Sequence, residues 1–130
     1  MSYQAQAGAV IFSKDINVLA RFYENLLVLT RTHAEPDHIV LESAHLQLVI
    51  HGIPTHIARS IHISSPPARR EDTPIKLFFP VESLAAARKA AALLGGELNA
   101  AAKEWEARGF RACDGHDPEG NVFQLRQSIS

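Results

Sequence analysis

Between Lys14 and Leu29 the chain reads KDINVLARFYENLLVL, an amphipathic segment that follows a short apolar run. Asp15 is suited to begin a helix there, because its side-chain oxygen can accept hydrogen bonds from backbone N–H groups of the first turn. Apolar residues then recur every three or four positions, as on one face of a helix. They are Ile16, Leu19, Phe22, Tyr23, Leu26 and Leu27. The segment predicts a helix of about three turns that covers a sheet.

Short apolar segments on both sides of this helix predict strands. Gln6–Ser13, before the helix, is β-branched and apolar in its second half. After the helix, turn-like sequences at 35–37 and 42–44 separate three further segments. These predicted strands are Thr30–Ala34, His38–Leu41 and His45–His51. The first half therefore has the order strand, helix and three strands.

The second half of the chain repeats this order. Ile75–Phe79 predicts a strand, and Ser83–Leu94 predicts an Ala-rich helix that Gly95 and Gly96 end. Three more predicted strands follow, at Glu97–Glu106, Gly109–Cys113 and Asn121–Gln127. Two halves with the same order indicate an internal duplication of a βαβββ module.

The Pro- and Ser-rich stretch Gly52–Thr73 separates the two halves and has the composition of a linker. We therefore predict an α+β fold in which two tandem βαβββ modules form one domain over residues 1–130. The first module covers about 4–52, the linker about 53–73 and the second module about 74–130.

The composition excludes several classes of partner and of site. The chain has 13 Lys and Arg against 14 Asp and Glu, a formal net charge of −1 at pH 7, so neither nucleic acid nor an anionic membrane surface is expected. Cys113 is the single cysteine, which excludes an internal disulfide and a Cys-based zinc cluster. No segment approaches the ~20 apolar residues of a membrane span. We expect a cytoplasmic protein whose partner is a small molecule.

Two segments resemble the vicinal oxygen chelate superfamily of glyoxalases, bleomycin-resistance proteins and extradiol dioxygenases. In the first, Asp15 stands seven residues before the pair Phe22-Tyr23 and a Leu-rich end follows. The second, HDPEGNVFQL at 116–125, resembles the closing strand of that fold. The resemblance covers essentially the whole chain. It implies mixed sheets that curl into an open half-barrel, commonly paired in a homodimer.

The resemblance also implies where a metal would bind. In metal-dependent members, one inward residue on the first and last strands of each module binds a divalent ion through His, Glu or sometimes Gln. Carried onto this chain by the strand-to-helix junctions, those positions are Gly8, Gln47, Lys76 and Gln124. Glycine has no side chain, a protonated lysine repels a cation, and two neutral amides supply little charge. We therefore expect no metal and no other cofactor.

Instead of metal ligands, strand alternation places a few polar side chains among apolar ones on the same inward, concave face. We predict that it binds a small molecule, anionic or aromatic, without a metal, and resembles the bleomycin-resistance branch. The predicted ligand-binding residues are Lys76, Gln47, Gln124, Phe12, Phe78, Trp105 and Arg126. It stays open whether Lys76 instead reaches solvent at a sheet edge, and whether Trp105 instead belongs to the core or a dimer interface.

Two other functions remain open. One is a metal-dependent enzyme of the superfamily, either a lyase similar to lactoylglutathione lyase, an isomerase or a dioxygenase, with its ligands in another register. The other is a dimerising structural or regulatory domain without a ligand. Among the histidines, His51, His56 and His62 have no familiar ligand spacing. His116 stands close to two aspartates, but the DPEGN turn favours a structural role, and no catalytic residue is assigned.

Overall fold

The computed structural model describes residues 6–129. They divide into two compact units whose boundary lies between His62 and Ile63. Each unit is built on one mixed β-sheet with a helix against it. The predicted ends of the modules, at about residue 4 and at residue 130, lie outside the described residues. No helix within residues 6–129 is both long enough and apolar enough to cross a membrane.

The first unit contains the predicted strand, helix and three strands, followed by a short helix in the predicted linker. Its elements are β1 (Ala7–Ser13), α1 (Ile16–Leu26), β2 (Thr30–Glu35), β3 (His38–Glu42), β4 (Leu46–Gly52) and α2 (Thr55–Ala58). The strand order in the sheet is β1-β4-β3-β2, with β1 parallel to β4 and the other pairs antiparallel. The predicted order of this half is therefore confirmed.

Asp15 caps α1 as predicted. Its Oδ1 accepts hydrogen bonds from the backbone nitrogens of Asn17 and Val18 at 3.1 and 3.2 Å. The helix covers one face of the sheet, where β3 and β4 present buried aliphatic side chains. The buried residues are Leu19, Phe22, Tyr23 and Leu26 of α1 with Ile39, Leu41, Leu48 and Ile50 of the sheet. The other face of the sheet is left for polar and exposed residues.

The second unit repeats the arrangement with shorter edge strands. Its elements are β5 (Leu77–Pro80), α3 (Leu84–Leu93), β6 (Glu97–Leu98), β7 (Trp105–Ala107), β8 (Phe110–His116) and β9 (Val122–Ser128). The strand order is β5-β9-β8-β6, and β7 also pairs with β8. As in the first unit, the first strand is parallel to the last, β5 to β9.

The predicted continuous strand Glu97–Glu106 is wrong in its middle. It is divided into β6 and β7 by a 3₁₀ turn at Ala101–Lys103. This alanine-rich segment lacks the β-branched and aromatic side chains that favour extended backbone. Asn99 holds the chain where β6 ends, since its N–H donates to the Asp114 carbonyl at 2.8 Å and its carbonyl accepts from Arg88 Nε at 2.8 Å.

The DPEGN turn connects β8 to β9 through the buried carboxylate of Asp117. Its Oδ1 accepts from the backbone nitrogens of Glu119 and Asn121 at 2.9 and 3.0 Å. Gly120 has a φ of +87°, and a Cβ there would collide with the carbonyl oxygen of Ala68. Only glycine satisfies both the left-handed backbone and the close approach. The turn is therefore structural and sets the start of β9.

Candidate functional site

Aromatic and charged side chains share the face of the second sheet that points away from its buried core. In β9, Phe123 and Leu125 are buried with Phe79, so the alternating residues Gln124 and Arg126 point the other way. The register pairs Phe78 and Asp114 with Gln124, which places them on the same side. We call this surface the second-sheet face. It comprises Lys76, Phe78, Trp105, Phe110, Asp114, Gln124 and Arg126.

Arg126 lies at the centre of the second-sheet face between two phenylalanine rings. Its guanidinium carbon is 3.7 Å from the centre of the Phe78 ring and 4.3 Å from the centre of the Phe110 ring. Its Nε donates to Gln124 Oε1 at 2.7 Å. Among residues 6–129 no carboxylate forms an ion pair with Arg126. The guanidinium is thus held in place by the rings and the amide, and its charge remains available to an anion.

Trp105 extends the aromatic surface beside Phe110. The two rings meet edge to face with their centres 5.8 Å apart. The guanidinium carbon of Arg108 lies 5.1 Å from the centre of the Phe110 ring. Trp105 is 44% exposed and Phe78 is 57% exposed. The prediction that Trp105 lies on a strand is confirmed, and its exposure rules out a core role within the described chain.

Lys76 differs from its prediction. It was predicted within the strand Ile75–Phe79, on the inward face, but β5 begins at Leu77, after Lys76. Its Nζ donates to Asp114 Oδ2 at 2.7 Å, and its side chain is 47% exposed. Lys76 therefore reaches solvent, as in the alternative that the sequence left open. Asp114 already neutralises Lys76, so the cations beside these rings that have no ion pair within residues 6–129 are Arg126, on the second-sheet face, and Arg108, at its margin.

Phe12 and Gln47 belong to the first unit and lie on the side of its sheet opposite α1. In the parallel pair β1–β4, Gln47 is opposite Gly8 and Phe12 is opposite His51. Phe12 is 63% exposed and its ring centre lies 5.8 Å from that of His51. The predicted ligand residues are therefore divided between the two units. Phe78, Gln124 and Arg126 come together on the second-sheet face with Trp105 beside Phe110, while Phe12 and Gln47 lie apart from each other on the first sheet.

The residues at the superfamily's metal positions do not suit a divalent ion. In the first unit, a Cβ added to Gly8 would collide with the Gln47 carbonyl oxygen, so the strand leaves no room for a ligand side chain. In the second unit, the Gln124 amide is engaged on both sides, with Nε2 3.5 Å from Asp114 Oδ1 and Oε1 bound to Arg126. Lys76 is a cation. The side chains at these positions are therefore suited to hydrogen bonding and not to binding a metal ion.

Phe110 and Asp114 were not among the predicted ligand residues. The predicted strand ended at Cys113, whereas β8 continues to His116 and includes Asp114. Antiparallel pairing with β9 then places Asp114 opposite Gln124 and Ala112 opposite Arg126. Alternation along β8 from Phe110 was the signal that could have found them, since it puts the ring and the carboxylate on one side.

Three histidines and an aspartate form a cluster at one end of the first sheet, which we call the histidine cluster. It consists of His33, Asp37, His38 and His51. The rings of His38 and His51 are stacked, 9° apart in orientation with centres 5.8 Å apart, and His33 lies 5.2 Å from His38. The hydrogen bond from His38 holds the pKa of Asp37 below its ordinary value. Their sequence spacing gave no indication of this cluster.

His116 and Cys113 are both buried and do not form a catalytic arrangement. His116 Nδ1 accepts a hydrogen bond from Arg69 Nε at 2.8 Å, and burial, together with the Arg69 charge, lowers the pKa of His116. Asp117 accepts hydrogen bonds from Glu119 and Asn121 within the DPEGN turn. Burial raises the pKa of the Cys113 thiol, which makes it a poor nucleophile.

Solved structures with this fold match nearly the whole chain. One is a glyoxalase/bleomycin resistance protein/dioxygenase family enzyme from Burkholderia phytofirmans PsJN, with 18% identity, a TM-score of 0.71, and coverage of 96% of this chain and 100% of that chain. Another is the fosfomycin resistance protein FosX from Listeria monocytogenes, with 16% identity, a TM-score of 0.65, and coverage of 98% and 96%. A third is a bleomycin resistance determinant encoded on the transposon Tn5, with 17% identity, a TM-score of 0.57, and coverage of 98% and 100%.

The fold is therefore the glyoxalase/bleomycin-resistance fold, as the sequence motifs predicted. A family model described as a glyoxalase-like domain matches residues 9–126. The chain belongs to this glyoxalase-like domain family. No curated protein matches it.

Proposed function

We propose that this protein binds an anionic aromatic small molecule on the second-sheet face without using a metal. The observation that carries the proposal is the arrangement of Arg126, held between Phe78 and Phe110 with no carboxylate partner in residues 6–129. A cation fixed beside exposed rings offers charge and a stacking surface to the same molecule.

The free energy of binding favours a ligand that contacts both the Arg126 charge and the exposed aromatic rings. The Nε of Arg126 is occupied by Gln124, so its remaining N–H groups can donate to a carboxylate or sulfonate. A charge-assisted hydrogen bond of this kind contributes about 1.5–3 kcal/mol. Stacking on Trp105 or Phe78 adds about 0.5–1.5 kcal/mol beyond the area it buries. Neither term alone gives tight binding, so a ligand with both groups is preferred.

Two further observations support a small-molecule function. The residues at the superfamily's metal positions lack metal-binding chemistry, so binding through the rings and Arg126 needs no ion. Two similar structures are named as resistance proteins for bleomycin and fosfomycin, which makes small-molecule binding compatible with this fold. Phe12 and Gln47, in the first unit, remain predicted ligand residues.

Trp105 gives a direct test, because it is the chain's one tryptophan and lies on the second-sheet face. The probe pair is 4-nitrobenzoate and the neutral 4-nitrobenzamide, which have the same ring and differ in charge. We expect 4-nitrobenzoate to quench Trp105 fluorescence saturably and more strongly than 4-nitrobenzamide. Treatment with EDTA should leave this quenching unchanged.

The matched variants are Arg126→Met and Arg70→Met, the second removing an exposed arginine outside the face. Arg126→Met should reduce affinity for 4-nitrobenzoate by about tenfold or more, the equivalent of one charge-assisted hydrogen bond, and remove the difference between the probes. Arg70→Met should bind like the wild type. Equal binding of the two probes by the wild type would refute the proposal.

We also propose that the two modules form one domain, that the protein is a homodimer, and that it is cytoplasmic. The proposed dimer rests on the exposed apolar side chains of Val10 and Phe12. The proposed location rests on Cys113, because a chain with a single cysteine forms no internal disulfide and suits a reducing compartment.

A further inference from the structure

The histidine cluster places metal-binding atoms close together at one end of the first sheet. Asp37, His38 and His51 each offer one ligand atom, and these atoms all lie within 4.8 Å of one another. This group is separate from the superfamily positions of the first unit, because Gln47 lies four residues before His51 on β4 and opposite Gly8.

The backbone fixes this arrangement through two contacts. The antiparallel register of β3 and β4 makes His38 and His51 direct partners, which brings the two rings side by side. The N–H of Gly52 donates to the Asp37 carbonyl at 2.7 Å and so ties the β2–β3 turn to the end of β4. The sheet therefore positions His38 and His51, and the Gly52 hydrogen bond holds the turn that carries Asp37 beside them.

Hydrogen bonds orient the imidazole nitrogens for metal binding. His51 Nδ1 lies 3.0 Å from the Gly52 carbonyl oxygen, which can only accept, so this nitrogen carries the proton and Nε2 carries the lone pair of the neutral ring. His38 Nδ1 lies 2.8 Å from Asp37 Oδ1, so these two ligand atoms are already adjacent, and an ion bound by both would take the place of the proton that they share. For His51, a backbone carbonyl that accepts from the second ring nitrogen is a usual outer partner of a metal-binding histidine.

We propose that Asp37, His38 and His51 bind a divalent transition-metal ion, with Zn²⁺ as the reference ion. Two imidazole nitrogens and one carboxylate suit Zn²⁺, Cu²⁺ or Ni²⁺ and disfavour Mg²⁺ and Ca²⁺, which prefer oxygen ligands. Zn²⁺ holds nitrogen ligands at about 2.0–2.1 Å, so the donors must move closer together. Asp37, whose side chain is 70% exposed, has the freedom to do this. Water completes the coordination.

Isothermal titration of tag-free, EDTA-stripped protein with ZnCl₂ tests the site. We expect saturation at about one ion per chain, and no displacement by excess MgCl₂. His38→Gln and His51→Gln each remove a nitrogen ligand at similar volume. Each should weaken binding by at least about tenfold, the loss that removal of even an outer partner typically causes. The matched control His56→Gln, at an exposed histidine outside the cluster, should bind as the wild type does.

The outcomes are distinct from those of the ligand proposal, because the readout involves no aromatic probe. Absence of Zn²⁺ binding, or full binding in both His38→Gln and His51→Gln, would overturn the site. Circular dichroism checks that the variants are folded. Should either be unfolded, Asp37→Asn replaces it, since the side chain is exposed and the change keeps its shape. Full Zn²⁺ binding by the double variant His38→Gln/His51→Gln would also overturn the proposed site, because the ion would then be bound elsewhere.

Discussion

Lys76 and Asp114 form an ion pair, with Nζ 2.7 Å from Oδ2, at the edge of the second-sheet face. Asp114 also lies 3.5 Å from the amide nitrogen of Gln124 through Oδ1, and Gln124 in turn binds Arg126. The four side chains form a continuous polar chain. Within it Lys76 neutralises Asp114, and the net positive charge of the chain comes from Arg126.

This pairing predicts an indirect effect of Lys76 on ligand binding. Lys76→Met leaves the Asp114 charge uncompensated near Arg126 and should weaken 4-nitrobenzoate binding by up to about fivefold, because exposed ion pairs contribute about 0–1 kcal/mol. The double variant Lys76→Met/Asp114→Asn should restore most of the affinity, measured by Trp105 quenching. A double variant as weak as Lys76→Met would instead show direct contact of the ammonium with the ligand.

Gly8 should be required for stability. A methyl group added at Gly8 meets the carbonyl oxygen of Gln47, so β1 and β4 must move apart. Gly8→Ala should lower the free energy of unfolding by about 1–3 kcal/mol, the usual cost of overpacking, in urea denaturation. Gly52→Ala is the control with a milder clash, because its added methyl would lie 3.3 Å from the Asp37 carbonyl oxygen. It should lower the free energy of unfolding by less than Gly8→Ala does. Equal effects of the two changes would contradict this account.

The pH dependence of stability should contain a contribution from His116. Burial, followed by the Arg69 charge, lowers its pKa in the folded state, so the unfolded chain binds the proton more readily. The contribution is fully present above the ordinary histidine pKa of about 6.5 and is lost as the pH falls below it. The free energy of unfolding should therefore decrease from about pH 7.5 to 5.5, and less steeply in His116→Gln. An unchanged slope in the variant would exclude His116 as the source.

The proposed homodimer can be tested by light scattering at micromolar concentration. We expect twice the chain mass of 14.3 kDa, because exposed Phe12 and Val10 gain from burial against a second copy. Phe12→Asp, which places a charge on this surface, should shift the equilibrium towards the monomer. A wild-type monomer under these conditions would defeat the proposal.

The fold was predictable from the sequence because local signals agreed with one another. The Asp15 cap, the apolar face of α1 and the alternation in β4 all appear as predicted, and the βαβββ order repeats. The failures have a common physical cause. At Lys76 and in the segment after Leu98, the strand ends depend on pairing with β8 and β9, and this pairing is not encoded in the local pattern.

The candidate sites were harder to predict than the fold. Gln124 and Arg126 were found because alternation in β9 fixes their side. Phe110 and Asp114 were missed because their importance comes from cross-strand pairing. The histidine cluster depends on the register of β3 with β4, which brings His38 to His51. Register is set by turns and packing across the sheet, so no spacing within one strand revealed it.

The contact between Gly120 and the segment before β5 determines how the second half can be excised. The N–H of Arg70 donates to the Gly120 carbonyl at 2.9 Å, and Arg70 pairs with Asn121. A fragment that started at β5 would remove these partners and expose the turn that begins β9. Minimal fragments, circular permutants and fusions should therefore be cut before residue 68, within the stretch that sequence composition marks as a linker.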